Sequence, residues 1–207
     1  MAELSALDLY KSVHSQKGFQ KVETHALSGV IIKVHRGFSD PLADNKVIAL
    51  RSAINRVVRR TGLRMPGEIT LYTSSDLTFV NVAFQRAIGG AQAASIGLGG
   101  KLANPMSLPV GIATGIGTGN AFIEAVCVHE IGHILHEMEN PEFFWSQEAN
   151  ELPNGKMAGQ VSMYAGNNKK EYVAEVFTAL VYGQTFSAPV IQQYVDYWGP
   201  RSTRFPG

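Results

Sequence analysis

From Asn120 to Glu137 the chain carries a helix-length segment with apolar residues on most sides. At about 100° per residue, Phe122, Ala125 and Val126 project near one face, and Val128, Ile131 and Leu135 cover a neighbouring one. A helix apolar over so much of its circumference has to be covered on more than one side. Other layers of the same chain must therefore enclose it. The polar residues inside it, His129, Glu130 and His133, need partners of their own, because a buried polar group left unpaired costs about 1–3 kcal/mol.

The N-terminal half offers a sheet as one covering layer. Val30-Ile31-Ile32-Lys33-Val34 is rich in β-branched residues and predicts a strand over Gly29–His35, and Glu68–Tyr72 predicts a second. Between them, Asp40-Pro41 reads as the start of a helix that buries Val47, Leu50, Ile54, Val57 and Val58 and stops at Gly62. Leu4–Gln16 has the spacing of a short helix. Nine glycines fall between Gly89 and Gly119, which favours short strands and tight turns over helix, ending in a strand over Ser107–Thr114. Gly115-Ile116-Gly117-Thr118-Gly119-Asn120 is not a dinucleotide fingerprint, since Asn120 stands where the third glycine is wanted. Asn120 itself reads as the N-cap of the apolar helix. A polar, acidic loop should follow from Glu139 to about Gln160, then helices over Asn168–Tyr182 and Ala188–Trp198. The fold class expected is α+β: a small twisted mixed sheet, the apolar helix beneath it, and a helical C-terminal part.

Length and composition narrow the classes. The 207 residues suit one domain over 1–207, with 1–28 readable as an N-terminal extension. With 45% hydrophobic residues the chain can form a core, and the single Cys127 excludes a disulfide framework and reads as a small packed hydrophobe. No charged-then-apolar segment at the start of this sequence resembles a signal peptide, and no run of about 18 apolar residues occurs in it. A net charge of +1 gives no reason to expect nucleic acid, and the six basic residues from Lys46 to Arg64 suit the wet side of an amphipathic helix.

The chemistry lies in His129-Glu130-Ile131-Gly132-His133. Residues i and i+4 share a helix face, so both imidazoles can converge on one ion. Glu130, about 100° away, lies beside that ion rather than on it, where a carboxylate can act as general base on a zinc-activated water. The residue counts predict such a match by chance only about 0.01 times. The competing reading is a pair of structural histidines bonded to backbone or carboxylate. His136 lies one turn further on, too far to share the ion, and reads at most as a substrate contact or a supporting residue. A third ligand is available on the later helix, where Glu171 and Glu175 are again i and i+4. One carboxylate can bind the metal and the other can accept the free N–H of a ligand histidine, unless both lie on a solvated face.

These residues carry a resemblance. His129-Glu130-x-x-His133 followed by a downstream Glu-x-x-x-Glu resembles the gluzincin class of zinc metallopeptidases. The stretch Ser162-Met163-Tyr164-Ala165-Gly166-Asn167-Asn168-Lys169-Lys170-Glu171-Tyr172-Val173-Ala174-Glu175-Val176-Phe177 is similar to the catalytic domain of anthrax lethal factor and related bacterial metallopeptidase toxins. The similarity runs from about Asn120 to Gly183, a third of the chain. It implies a zincin-like fold in which His129, His133 and Glu171 hold Zn²⁺ and Glu130 is the base. It further implies that Tyr164 faces the reacting oxygen and that Glu175 supports a ligand histidine. Lys169 departs from the family, which more often has an acidic residue there.

The activity so implied is hydrolysis of a peptide or related amide bond, with the substrate paired along Ser107–Thr114. The acidic loop with Phe143-Phe144-Trp145 suits either a rim for a basic or apolar peptide or a solvated loop with its aromatics tucked inward. The resemblance also implies a bacterial effector delivered by a dedicated secretion system, with a delivery or immunity protein as partner. The alternatives are a cytoplasmic housekeeping or phage-type peptidase, and a binding module that uses zinc for structure only.

Overall fold

The computed structural model describes residues 19–37, 40–74, 82–88, 91–99 and 119–205. The helix expected over Leu4–Gln16 and the strand expected over Ser107–Thr114 lie outside them.

Strands β1 (Phe19–Leu27) and β2 (Val30–Gly37) form an antiparallel hairpin. Its two turn residues, Ser28 and Gly29, both have positive φ (51° and 80°), the turn geometry that matches the twist of paired strands. Residues 19–27 thus belong to the sheet, although their mixed polarity gave no strand signal. Helix α1 (Ala43–Thr61) then crosses to β3 (Glu68–Thr73), which pairs parallel to β2. β5 (Ala91–Leu98) is parallel to β3, and β4 (Val82–Ile88) is antiparallel to β5 on the far edge. The result is a five-stranded mixed sheet in the order β1-β2-β3-β5-β4. Period-two alternation turns Ile32, Ile69 and Ala94 to one face in register, followed by Val34, Leu71 and Ile96, all buried.

That row shares one core with Val47, Leu50, Ile54 and Val57 of α1. The helix begins at Ala43, and Asp40 leads into it by capping a free amide just ahead of the first turn. One oxygen accepts the Leu42 N–H at 3.0 Å and the other takes the Lys46 ammonium at 2.7 Å. Lys46 also donates to the Ser74 and Leu98 carbonyls at 2.8 and 3.2 Å, so a buried cation with three partners ties α1 to the ends of β3 and β5. Burial pushes its pKa down, against the support of Asp40. At the other end Gly62 adopts φ 67° and bonds Val58, the expected stop.

The apolar helix, α2, spans Asn120–Glu139. Its N-cap is Gly119, not Asn120. Gly119 has φ 101°, a conformation glycine tolerates, and its carbonyl accepts the N–H groups of Phe122 and Ile123. Every residue from Ala125 to Glu137 is buried. α1 and β4 pack against this helix, and so does α5 (Lys169–Val181).

The segment read as a polar loop is more ordered than its composition suggests. It contains α3 (Pro141–Phe144), a 3₁₀ turn over Glu148–Asn150, and α4 (Gly155–Val161), whose N-cap Asn154 accepts the Lys156 N–H. A second 3₁₀ turn, Tyr164–Gly166, leads into α5, and α6 (Ala188–Asp196) follows. The chain is therefore α+β. Among the described residues no helix is long and apolar enough to cross a membrane.

Candidate metal centre

α2 and α5 meet at Gly132. A Cβ there would stand 3.1 Å from Phe177 Cδ1 and 3.3 Å from Ala174 Cα, so the missing side chain permits the close approach. Glu171 and Glu175 flank Ala174 on α5 and are thereby brought onto the histidine face of α2. The start of α5 is fixed by Asn168, whose side chain accepts the Glu171 N–H at 2.9 Å.

Three donor atoms converge. His129 Nε2 lies 3.1 Å from His133 Nε2, and Glu171 Oε2 lies 3.0 and 3.2 Å from those two nitrogens. This His129–His133–Glu171 cluster could hold a metal ion. Its donor set suits one. Glu175 Oε1 sits 2.8 Å from His129 Nδ1 and, as a carboxylate, calls for the ring proton there. A neutral His129 would turn its Nε2 lone pair toward another acceptor, Glu171; a proton on Nε2 resolves that opposition in the empty cluster, and a metal cation between the two atoms would resolve it equally. For ligands about 2.0–2.1 Å from a tetrahedral ion, donor atoms should lie about 3.3 Å apart, close to the separations observed.

The electrostatics follow from the same contacts. Burial alone would lower the His129 pKa, but its hydrogen bonds to Glu171 and Glu175 override this and hold it well above the usual histidine value. Burial likewise opposes charge on Glu171, yet the two imidazoles hold its carboxyl far below the usual carboxylate range. Glu130 is buried beside the cluster, and desolvation raises its pKa against the pull of His129 and His133. Tyr164 is partly exposed, its ring centred 5.8 Å from that of His129. The Glu171 charge, with burial second, raises its pKa, so the phenol keeps its proton.

His129, Glu130, His133, Tyr164, Glu171 and Glu175 therefore gather in one place, whereas His136 stands apart. It is fully buried and packs edge-on against Phe144 at 5.3 Å, so it cannot touch a substrate. Burial, reinforced by the neighbouring His133 charge, pushes its pKa down to about 3. The aromatic trio divides as well: Phe144 is buried beside His133, whereas Trp145 is exposed and donates to Glu137. Cys127 is buried, and its pKa is raised by burial, as befits a packed hydrophobe.

Four further residues contribute that motif spacing does not mark. Gly132 sets the helix spacing, and Ser162 donates to Glu175 Oε2 at 2.6 Å. Lys169 reaches Glu148 and Glu151 at 3.2 and 3.0 Å and so pins the preceding loop to the start of α5, which accounts for a lysine at that position. Phe144 gives the His133 ring a wall. Only Ser162 carried a local signal, as a serine three residues before the amide it caps. Compared as a whole, the chain matches no known family model, no curated protein and no solved structure.

Proposed function

We propose that this chain is a zinc-dependent metallopeptidase with a zincin-like domain. The observation that carries the reading is the triangle of His129, His133 and Glu171 donors, with Glu175 behind His129 and the Glu130 carboxylate buried alongside. Zinc is the ion best suited to two imidazoles and one carboxylate, and when bound it would supply Lewis-acid polarisation and lower the pKa of a water.

The remaining chemistry belongs to the chain. Glu130, with a pKa raised by burial, takes a proton from the attacking water and returns it to the leaving amine. Tyr164, protonated at neutral pH, donates a hydrogen bond to the oxygen on which negative charge develops, an interaction that strengthens in the transition state. Glu175 keeps the Nδ1 proton on His129, leaving Nε2 free to ligate. The peptide lies extended along a strand edge. Among the described strands, β4 is the edge beside α2.

The experiment is cleavage of a random peptide library by the zinc-loaded protein and by Glu130→Gln. The expected result is cleavage that falls at least 10³-fold in the variant at equal zinc content. Equal cleavage by both proteins would overturn the assignment. A role as a delivered bacterial effector rests on the resemblance alone. It is tested by arrest of bacterial growth on expression, which Glu130→Ala should abolish.

A further inference from the structure

The Glu175 carboxylate is fully buried, and its two oxygens have different partners. Oε1 accepts from His129 Nδ1 at 2.8 Å, and Oε2 accepts the hydroxyl proton of Ser162 at 2.6 Å. The Ser162 oxygen is used a second time, accepting the Ala165 N–H at 2.9 Å. Ala165 is the middle residue of the 3₁₀ turn that begins with Tyr164. An unbroken buried chain therefore runs from the turn carrying the phenol, through Ser162 and Glu175, to the metal-facing His129.

We infer that Ser162 is a positioning residue that couples the Tyr164 turn to His129 through Glu175. The inference rests on the metal centre proposed above. Its physical basis is the geometry of a carboxylate. With both oxygens bonded, Glu175 is locked about its terminal torsion and presents Oε1 to His129 in one direction. Without the hydroxyl, a buried oxygen loses its donor and the Ala165 amide loses its acceptor, and each orphaned group favours rearrangement. Carboxylates that orient ligand histidines are worth 10–100-fold in metal affinity. The hydroxyl that orients the carboxylate should carry an appreciable share of that factor. The same hydroxyl holds the turn, so metal occupancy and the order of Tyr164 should rise and fall together.

The test uses Zn²⁺ alone and does not depend on turnover. Zinc affinity is measured by competition with a chromogenic chelator for wild type, Ser162→Ala and Ser162→Thr. Ser162→Ala should bind zinc about tenfold more weakly, and Ser162→Thr, which keeps the hydroxyl, should recover most of the loss. A folded Ser162→Ala protein with affinity within twofold of wild type overturns the inference. A companion measurement needs no variant: amide hydrogen exchange of Ala165 with and without zinc, referred to the Gly62 amide at the end of α1. Zinc should slow Ala165 at least tenfold more than Gly62, and equal slowing overturns the coupling. If wild type binds no zinc at all, the metal centre itself falls. If wild type binds zinc and Ala165 does not respond, only the role of Ser162 falls.

Discussion

At the scale of single residues, the two α5 glutamates are chemically identical, and only their surroundings separate their roles. Glu171 faces both Nε2 atoms, whereas Glu175 faces Nδ1 of His129 and a serine hydroxyl. Glu171→Ala should therefore abolish stoichiometric zinc binding, and Glu175→Ala should retain zinc with an affinity reduced about 10–100-fold. Zinc content by atomic absorption after gel filtration checks both, and the reverse pattern would place the ligand one turn later. His136 allows a prediction about acid. Its pKa is pushed down to about 3 by burial, and the charged side chains facing it, His133 on α2 and Lys170 on α5, act in the same direction. Below the ordinary histidine value the unfolded chain takes up a proton that the folded chain refuses. Stability from this group is thus complete above about pH 6.5 and declines by about 1.4 kcal/mol per unit as pH falls toward the folded value. Urea unfolding of the zinc-free protein between pH 7 and 4.5 should show a shallower decline for His136→Leu than for wild type, and parallel curves would remove His136 from the account.

At the scale of elements, the spacing of α2 and α5 is the quantity that builds the site, and Gly132 sets it. Alanine there gains up to about 1 kcal/mol of helix propensity. Against this, the new methyl group meets Phe177 at 3.1 Å and the Ala174 backbone at 3.3 Å, and overpacking of this kind costs about 1–3 kcal/mol. The Phe177 ring can turn aside, but the backbone cannot, so α5 has to shift and the second effect wins. Gly132→Ala should lower unfolding free energy by about 1 kcal/mol and weaken zinc binding more than tenfold, since Glu171 moves with α5. Denaturant titration and chelator competition read the two effects separately. His129, Glu130 and His133 were visible because their convergence depends on helix periodicity alone, and Gly62 was visible because a helix stop is local. The sequence contains Gly132 and Ser162 just as plainly, yet their roles depend on partners tens of residues away. β1 is not legible for a related reason. Charged and polar residues such as Lys21, Glu23 and His25 interrupt its pattern, and only pairing with β2 makes it a strand.

At the scale of the whole molecule, much of what holds the scaffold together lies outside the His129–His133–Glu171 cluster. The sheet, α1 and the inner face of α2 share one apolar core, and Lys46 fastens α1 to the strand ends. Glu124 on α2 accepts from Ser52 and Arg56 of α1 and from Tyr182 just after α5, holding these helices together away from the histidines. A structural zinc site behaves differently, because its metal supplies folding free energy outright and its removal unfolds the domain. Chelation with EDTA should therefore leave the far-ultraviolet circular dichroism of this chain intact while lowering its Tm. Zinc at about 100 times its Kd stabilises the folded state by about 2.7 kcal/mol, which for a chain of this size corresponds to a shift of about 5–10 °C. Glu171→Ala should melt near the temperature of the chelated wild type and show no shift on adding zinc. Collapse of secondary structure on chelation would instead assign the ion a structural role, and with it the binding-module reading in place of the peptidase.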